Sequence, residues 1–232
     1  MALRHRELLE KRGLVILADR QTQGRGRRGR KWCSHVEGNL YASFVLHDTP
    51  SPHPILPYIT LVAGVALWES IRALGVEEAA IKWPNDILIG AKKVAGILVE
   101  TTAMESGVHA MVVGIGVNLR GDRYSYPEEV RERVTTIEEA LKEGEVDRFE
   151  FLDILSNRLD KVVADYMRCG PSAILDTWEQ ASSSIGRRIL VEEEGDSIEG
   201  VFVGLSPKGH LLLEARGGEV VEIVSGDVTF LE

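Results

Sequence analysis

Between positions 80 and 119 the sequence leaves no room for a crossover helix, and that decides what kind of sheet this chain can build. Apolar segments of strand length stand at 80–82, 87–89, 94–101 and 109–119. The first three are parted only by Trp83-Pro84-Asn85-Asp86 and Gly90-Ala91-Lys92-Lys93. A parallel strand pair needs a connection of about a dozen residues or more, whereas an antiparallel pair closes through a tight turn. The region therefore predicts antiparallel hairpins and not alternating strand–helix–strand units. Further strands are expected at 14–18 and 40–46, and a short helix at 2–11 ended by Gly13. Residues 55–74 carry apolar side chains at helical spacing and stop at Gly75, which predicts a long helix packed on the sheet. Residues 121–133 read as a charged loop, and Thr136-Ile137-Glu138-Glu139 as a capping box opening a helix to Lys142. An amphipathic stripe through Phe151, Leu155, Leu159, Val162 and Tyr166 predicts a helix over 149–167. A last helix is expected over 171–181, with Pro171 in its first turn, where a missing N–H costs nothing.

The run Ser182-Ser183-Ser184 is the best boundary. After it come five short strands, at 189–193, 198–205, 210–215, 219–224 and 228–231, broken by Gly195-Asp196, Pro207-Lys208-Gly209 and Gly217-Gly218. So many short strands in so little chain imply a small β-barrel. The expectation is an α+β protein: a catalytic unit over 1–184 built on a mixed β-sheet flanked by helices, then a small barrel over 185–232. With 44% hydrophobic and 27% charged residues the chain has enough apolar material for a sizeable core. No segment approaches the ~18 uninterrupted apolar residues of a membrane span. The N-terminus is charged from Arg4 onward and shows no signal-peptide pattern. Cys33 and Cys169 are too few for a disulfide framework, which fits a cytoplasmic protein. A net charge of -9 argues against a general nucleic-acid binder. That makes the stretch from Arg20 to Lys31, with six basic residues and no acid, a local exception.

Four segments carry chemistry. In Gly24-Arg25-Gly26-Arg27-Arg28-Gly29-Arg30-Lys31-Trp32 the glycines permit close backbone approach and positive φ. The guanidinium forks match carboxylate and phosphate oxygens, and Trp32 adds a stacking surface. Such a loop is either a solvated or RNA-binding basic patch or a cradle for a small anion. Its place after a buried strand of an acidic protein favours the cradle. Lys82-Trp83-Pro84-Asn85-Asp86 is either a hairpin turn with a structural tryptophan or a site where Asp86 positions Mg²⁺ or a phosphate-binding lysine. Lys93, at the mouth of the next strand, is either solvated or placed to meet negative charge as it develops on a phosphate or carbonyl. Gly114-Ile115-Gly116-Val117-Asn118 puts two glycines inside a strand, a mark of close approach by a ligand or another backbone. The six histidines are scattered, so no metal is assigned to them, and no Ser/His/Asp or Cys/His nucleophile arrangement emerges.

Taken in order, GRGRRGRKW, KWPND, KVAGILVE and GIGVN resemble the serial motifs of biotin protein ligases from about Leu14 onward. The resemblance implies a biotin/lipoate ligase-like catalytic sheet followed by an SH3-like barrel. It implies biotin and ATP as substrates, Mg²⁺, and a biotin carboxyl carrier domain as acceptor. Carried over by motif, Gln21, Gly24, Arg25, Gly26, Arg27 and Lys93 would hold biotin, with Gly96, Leu98, Gly114 and Gly116 lining its pocket. Arg27, Arg30, Trp32, Asn85, Lys93 and Asn118 would serve ATP, with Asp86 near Mg²⁺. Lys93, Arg25 and Asp86 would carry the catalysis. Members of this family often pair through a sheet edge, so a homodimer is expected. They also usually carry a Ser-Thr-Asn signature upstream of the arginine loop. Here Met1 falls about where its Asn would stand, which implies a truncated N-terminus and reduced biotin affinity. No winged helix precedes the catalytic region, so DNA binding is not expected. Two other classes stay open: a lipoate- or octanoate-handling ligase, and a non-catalytic module gripping RNA or another anion.

Overall fold

The computed structural model describes residues 6–48, 52–104, 109–141, 144–193 and 195–231. Its larger sheet has six strands: β1 (Val15–Leu17), β2 (Leu40–Asp48), β3 (Ala79–Lys82), β4 (Asp86–Ile89), β5 (Lys92–Ala103) and β6 (His109–Val117), in the order β1-β2-β6-β5-β4-β3. Every ladder between these strands is antiparallel, and for β3-β4, β4-β5 and β5-β6 the short connections require it. Among the described residues, two isolated parallel bridges, Ile81 to Ser182 and Lys93 to Val134, make the sheet mixed.

Helix α2 (Ile59–Ala73) packs against β3, β4 and β5 and, on its other side, against α5 (Arg148–Cys169) and α6 (Ser172–Ala181). Being covered on both sides, it buries residues all round its axis, from Leu61 through Leu67 without a break. It begins four residues later than the apolar spacing predicts, because Pro57 disfavours helical backbone in the residue before it. Helix α5 buries one stripe, Phe151, Leu155, Leu159, Val162 and Tyr166. Its N-cap is Asp147, whose Oδ1 accepts from the N–H groups of Phe149 and Glu150 at 2.8 and 3.0 Å.

Two expectations are amended. The charged loop at 121–133 contains a short helix, α3 (Glu128–Arg131), started by the fixed φ of Pro127 and favoured by acidic residues in its first turn. The capping box is half formed at α4 (Ile137–Leu141). Thr136 Oγ1 accepts from the Glu139 N–H at 3.1 Å, but the Glu139 carboxylate turns to the Thr135 hydroxyl at 2.8 Å. Of the N-terminal helix only α1 (Arg6–Leu9) is described, so the expectation about the first five residues falls outside the described residues, as does Lys142.

The C-terminal unit is a second antiparallel sheet, β7 (Arg188–Glu193), β8 (Asp196–Leu205), β9 (Leu211–Ala215), β10 (Val220–Ile223) and β11 (Asp227–Phe230), in the order β10-β9-β8-β7-β11. Its inner residues Ile189, Val191, Phe202, Leu211 and Leu213 belong to the same buried cluster as α2 and the large sheet. The two sheets thus share a core.

Candidate active site

Strand register defines the site. Gly96 on β5 lies opposite Gly116 on β6, and Leu98 opposite Gly114. Across β6 the partners are Tyr41 and Ser43 on β2, and Asp86 of β4 lies opposite Gly96. Side chains at these positions share one face, since successive residues of a strand alternate. The other face holds Ala95, Ile97, Ile115 and Val117, all buried in the core, and Ile97 reaches α2 at Gly64. The candidate site is therefore the sheet face turned away from the helices, with a floor kept low by glycine.

The arginine loop folds over this floor as a tight hairpin. Arg25 and Lys31 form a bridge, the Gly26 N–H donates to the Arg30 carbonyl at 2.6 Å, and the Trp32 N–H donates to the Gly24 carbonyl at 3.0 Å. Position 24 admits only glycine, because a Cβ there would lie 2.3 Å from the Trp32 carbonyl oxygen. The turn places Arg28 at φ 52, ψ 37, the left-handed region, which costs a side-chain-bearing residue roughly 1–2 kcal/mol. The hairpin sets the Trp32 indole on the two floor glycines. A Cβ on Gly116 would stand 2.5 Å from that ring, and one on Gly96 would stand 3.1 Å from it.

Beside the ring, Lys93 Nζ lies 5.2 Å from the indole centroid and 2.6 Å from Asp86 Oδ1. The root of Lys93 is fixed on both sides: its N–H donates to the Arg133 carbonyl at 2.8 Å and its carbonyl accepts from Thr135 at 3.1 Å. Asn85 donates to the Ile97 carbonyl at 2.6 Å and accepts from Arg27 Nη1 at 3.4 Å. Burial lowers the proton affinity of the Arg27 guanidinium, with Asp227 and Asp86 acting in the opposite sense. Lys82 is likewise held below the ordinary lysine range by burial, against the pull of Asp86. Arg27, Arg30, Lys82 and Lys93 outnumber Asp86 and Asp227 around this end of the floor. The place is electropositive in an acidic protein and suits a polyanion.

The loop residues, Asn85, Asp86, Lys93, Gly96, Leu98, Gly114 and Gly116 are thus brought to one face. Four expected residues stand differently. Arg25 pairs with Glu100 at 2.5 Å on the strand below it. Arg30 pairs with Asp227 of the C-terminal sheet at 2.8 Å. Asn118 is buried, and its amide donates to the Thr135 carbonyl at 3.2 Å, so it braces the connection that roots Lys93. Gln21 is exposed and accepts from the buried Ser34 hydroxyl at 2.7 Å.

Sequence reasoning missed Glu100, Lys82, Ser34 and the turn Ser225-Gly226-Asp227. The first two sit inside recognised motifs, and in sequence the turn reads only as the break before a closing strand, with no contact assigned to it. It also passed over a Cys/His contact: Cys33 Sγ stands 3.1 Å from His35 Nδ1, and His35 Nε2 donates to the Ser125 carbonyl at 2.7 Å. Burial pushes the Cys33 thiol up, so this pair holds a neutral thiol and not an activated nucleophile. Among the described residues no three His, Cys, Asp or Glu side chains gather as a metal cluster.

Residues 2–118 match the biotin/lipoate A/B protein ligase family, and residues 184–231 match the biotin protein ligase C-terminal domain. A biotin–[acetyl-CoA-carboxylase] ligase of Paracoccus denitrificans is 33% identical over 217 residues, covering 93% of this chain and 89% of that protein. The bifunctional ligase/repressor BirA of Bacillus spizizenii is 34% identical over 216 residues, and the chain spans only 66% of its length. Among solved structures, the biotin protein ligase of Aquifex aeolicus in complex with biotin and ATP superimposes with a TM-score of 0.80 at 33% identity, covering 97% of this chain and 93% of that one.

Proposed function

Since the chain belongs to the biotin protein ligases of the biotin/lipoate A/B protein ligase family, we propose that it activates biotin with ATP and transfers it to a lysine of a biotin carboxyl carrier domain. The observation that carries this reading is the excess of cations ranged beside a glycine floor that Trp32 covers. In the first step the biotin carboxylate attacks the α-phosphate of ATP, forming biotinyl-5′-AMP and expelling pyrophosphate. Two anions must meet, and the ring of cations offsets their repulsion and stabilises charge as it develops. Lys93 contacts the α-phosphate and the activated carbonyl oxygen, a role supported by its two backbone hydrogen bonds and its contact with Asp86. Arg27 and Arg30 take the phosphates, Asn85 and Trp32 the nucleotide. Gln21, Gly24, Arg25, Gly26, Gly96, Leu98, Gly114 and Gly116 enclose biotin. Asn118 serves the nucleotide end indirectly, by bracing the segment that holds Lys93.

Mg²⁺ binds through one or two carboxylates plus substrate phosphates, so an ion that arrives with ATP needs little more from the protein than Asp86, which would exchange its 2.6 Å contact with Lys93 for the ion. Asp86 would hold it, and the ion would neutralise phosphate charge. In the second step a carrier lysine attacks the mixed anhydride and AMP leaves, with no enzyme nucleophile needed. A cytoplasmic setting, a homodimer through an edge of the six-stranded sheet and a division at 184/185 belong to the same reading.

The test is biotin-dependent pyrophosphate release from MgATP. Lys93→Ala is expected to lower kcat by about 10²–10³, the loss that follows removal of one preorganised donor. Arg25→Ala should raise the KM for biotin. Release from the unmodified protein with octanoate or lipoate, and none with biotin, would reassign the substrate. No release with any acid would leave the anion-binding module.

A further inference from the structure

Three arginines of the 24–32 loop reach past the floor to the C-terminal sheet. Arg28 donates to the Glu192 carbonyl at 3.0 Å and to Ser225 Oγ at 3.2 Å, and it stands 3.6 Å from Glu193 and 3.7 Å from Asp227. Arg30 meets Asp227 at 2.8 Å, and Arg27 meets the Gly226 carbonyl at 3.4 Å. The acceptors are themselves tied, since the Ser225 hydroxyl donates to Glu193. The turn is packed closely on β7, where a Cβ at position 226 would lie 2.4 Å from Val191.

Arg28 differs from its neighbours. Among the described residues it alone has a positive φ without being glycine. Such backbone persists where the surroundings over-determine it. Its guanidinium has four partners, all on the C-terminal sheet, whereas a ligand for phosphate needs an open fork. We infer that Arg28 is a positioning residue: it latches the loop to the C-terminal sheet and so holds Arg27, Arg30 and Trp32 over the floor. The C-terminal sheet then acts on nucleotide binding through the loop without touching the nucleotide. What the loop binds rests on the function proposed above; the latch does not.

The experiment uses the full chain, with hydrogen exchange of the 24–32 amides in the absence of ligand, and the KM for ATP against kcat. Arg28→Ala should strip protection from those amides and raise the ATP KM about tenfold, the size of one lost charge-assisted contact, with kcat at saturation nearly unchanged. Glu193→Gln and Ser225→Ala, which alter only the receiving side, should move both readouts the same way by less. Arg28→Ala combined with Glu193→Gln should be no worse than Arg28→Ala alone. Arg28→Gly relieves the left-handed strain but carries no guanidinium, so normal protection and KM in that variant would overturn the latch. Additive losses in the double variant, or normal values in both receiving-side variants, would overturn it too, and would mark Arg28 as a ligand contact. Failure of the unmodified protein to release pyrophosphate would strike only the ligase reading, because the exchange measurement needs neither biotin nor ATP.

Discussion

At Gly116 the absence of one methyl group sets where an indole lies. The nearest Trp32 atoms would be 2.5 Å from a Cβ there, a distance real side chains do not tolerate. Gly116→Ala should therefore drive Trp32 off the floor while leaving the strand intact, because alanine fits extended backbone at least as well as glycine. Displacing a positioning group by about 1 Å can cost two orders of magnitude in rate. We expect kcat/KM for biotin-dependent pyrophosphate release to fall by at least about tenfold. The Trp32 emission should shift to the red, isolated by comparison with Trp32→Phe. Gly114→Ala is the control for the indole alone: its Cβ would meet Leu98, the carbonyl at 3.3 Å and Cβ at 4.0 Å, and not Trp32, so it should leave the Trp32 emission unmoved whatever it does to biotin binding. Unchanged emission and kcat/KM in Gly116→Ala would mean that the indole does not rest on this floor in solution.

Among the elements, α5 makes the clearest pH prediction. Tyr166 is 1% exposed, and its hydroxyl donates to the Pro54 carbonyl at 2.8 Å. Burial first, then the nearby Tyr58 and Asp48, push its phenol from 10.0 up to about 12. A raised pKa means that the folded state favours the neutral phenol. The stability this contributes is fully present below pH 10.0 and is lost as pH rises towards about 12. Tyr166→Phe should lower stability at pH 8 by about 1 kcal/mol for the lost hydrogen bond. It should also flatten the fall in urea midpoint between pH 10 and 12, and an unchanged slope would count against the assignment. The stripe that buries Tyr166 was legible in the sequence, as were the hairpins, because both follow from periodicity and connection length. The cap at Asp147 was readable from Glu150 three residues on and was passed over. Helix α3, at four residues, is too short for any period to register. Within the site, the motifs marked the residues that share a face, but nothing local marked what receives them. Arg28 and Ser225 lie 197 positions apart, and only the folded chain brings them together.

Across the whole molecule, the loop and its receiving turn stay in register only if the two sheets unfold as one. The structure gives three reasons to expect that. Trp178 on α6 is fully buried against Phe202 on β8, with ring centroids 6.3 Å apart. The next residue, Glu179, accepts from the Leu205 N–H at 2.6 Å. The 206–209 turn presses on α2, where a Cβ on Gly209 would lie 2.6 Å from Leu61. Trp178→Ala should thus leave a cavity that neither sheet can close alone, at a cost of about 3–5 kcal/mol. Urea unfolding of the unmodified protein, followed by tryptophan fluorescence and by far-ultraviolet circular dichroism, should give coincident transitions. In Trp178→Ala both probes should move to lower urea together, because the residue lies in the core that both sheets share. If the variant instead shows two separated transitions, the shared core is a contact between independent domains. The loop would then be held to the C-terminal sheet only by its arginines.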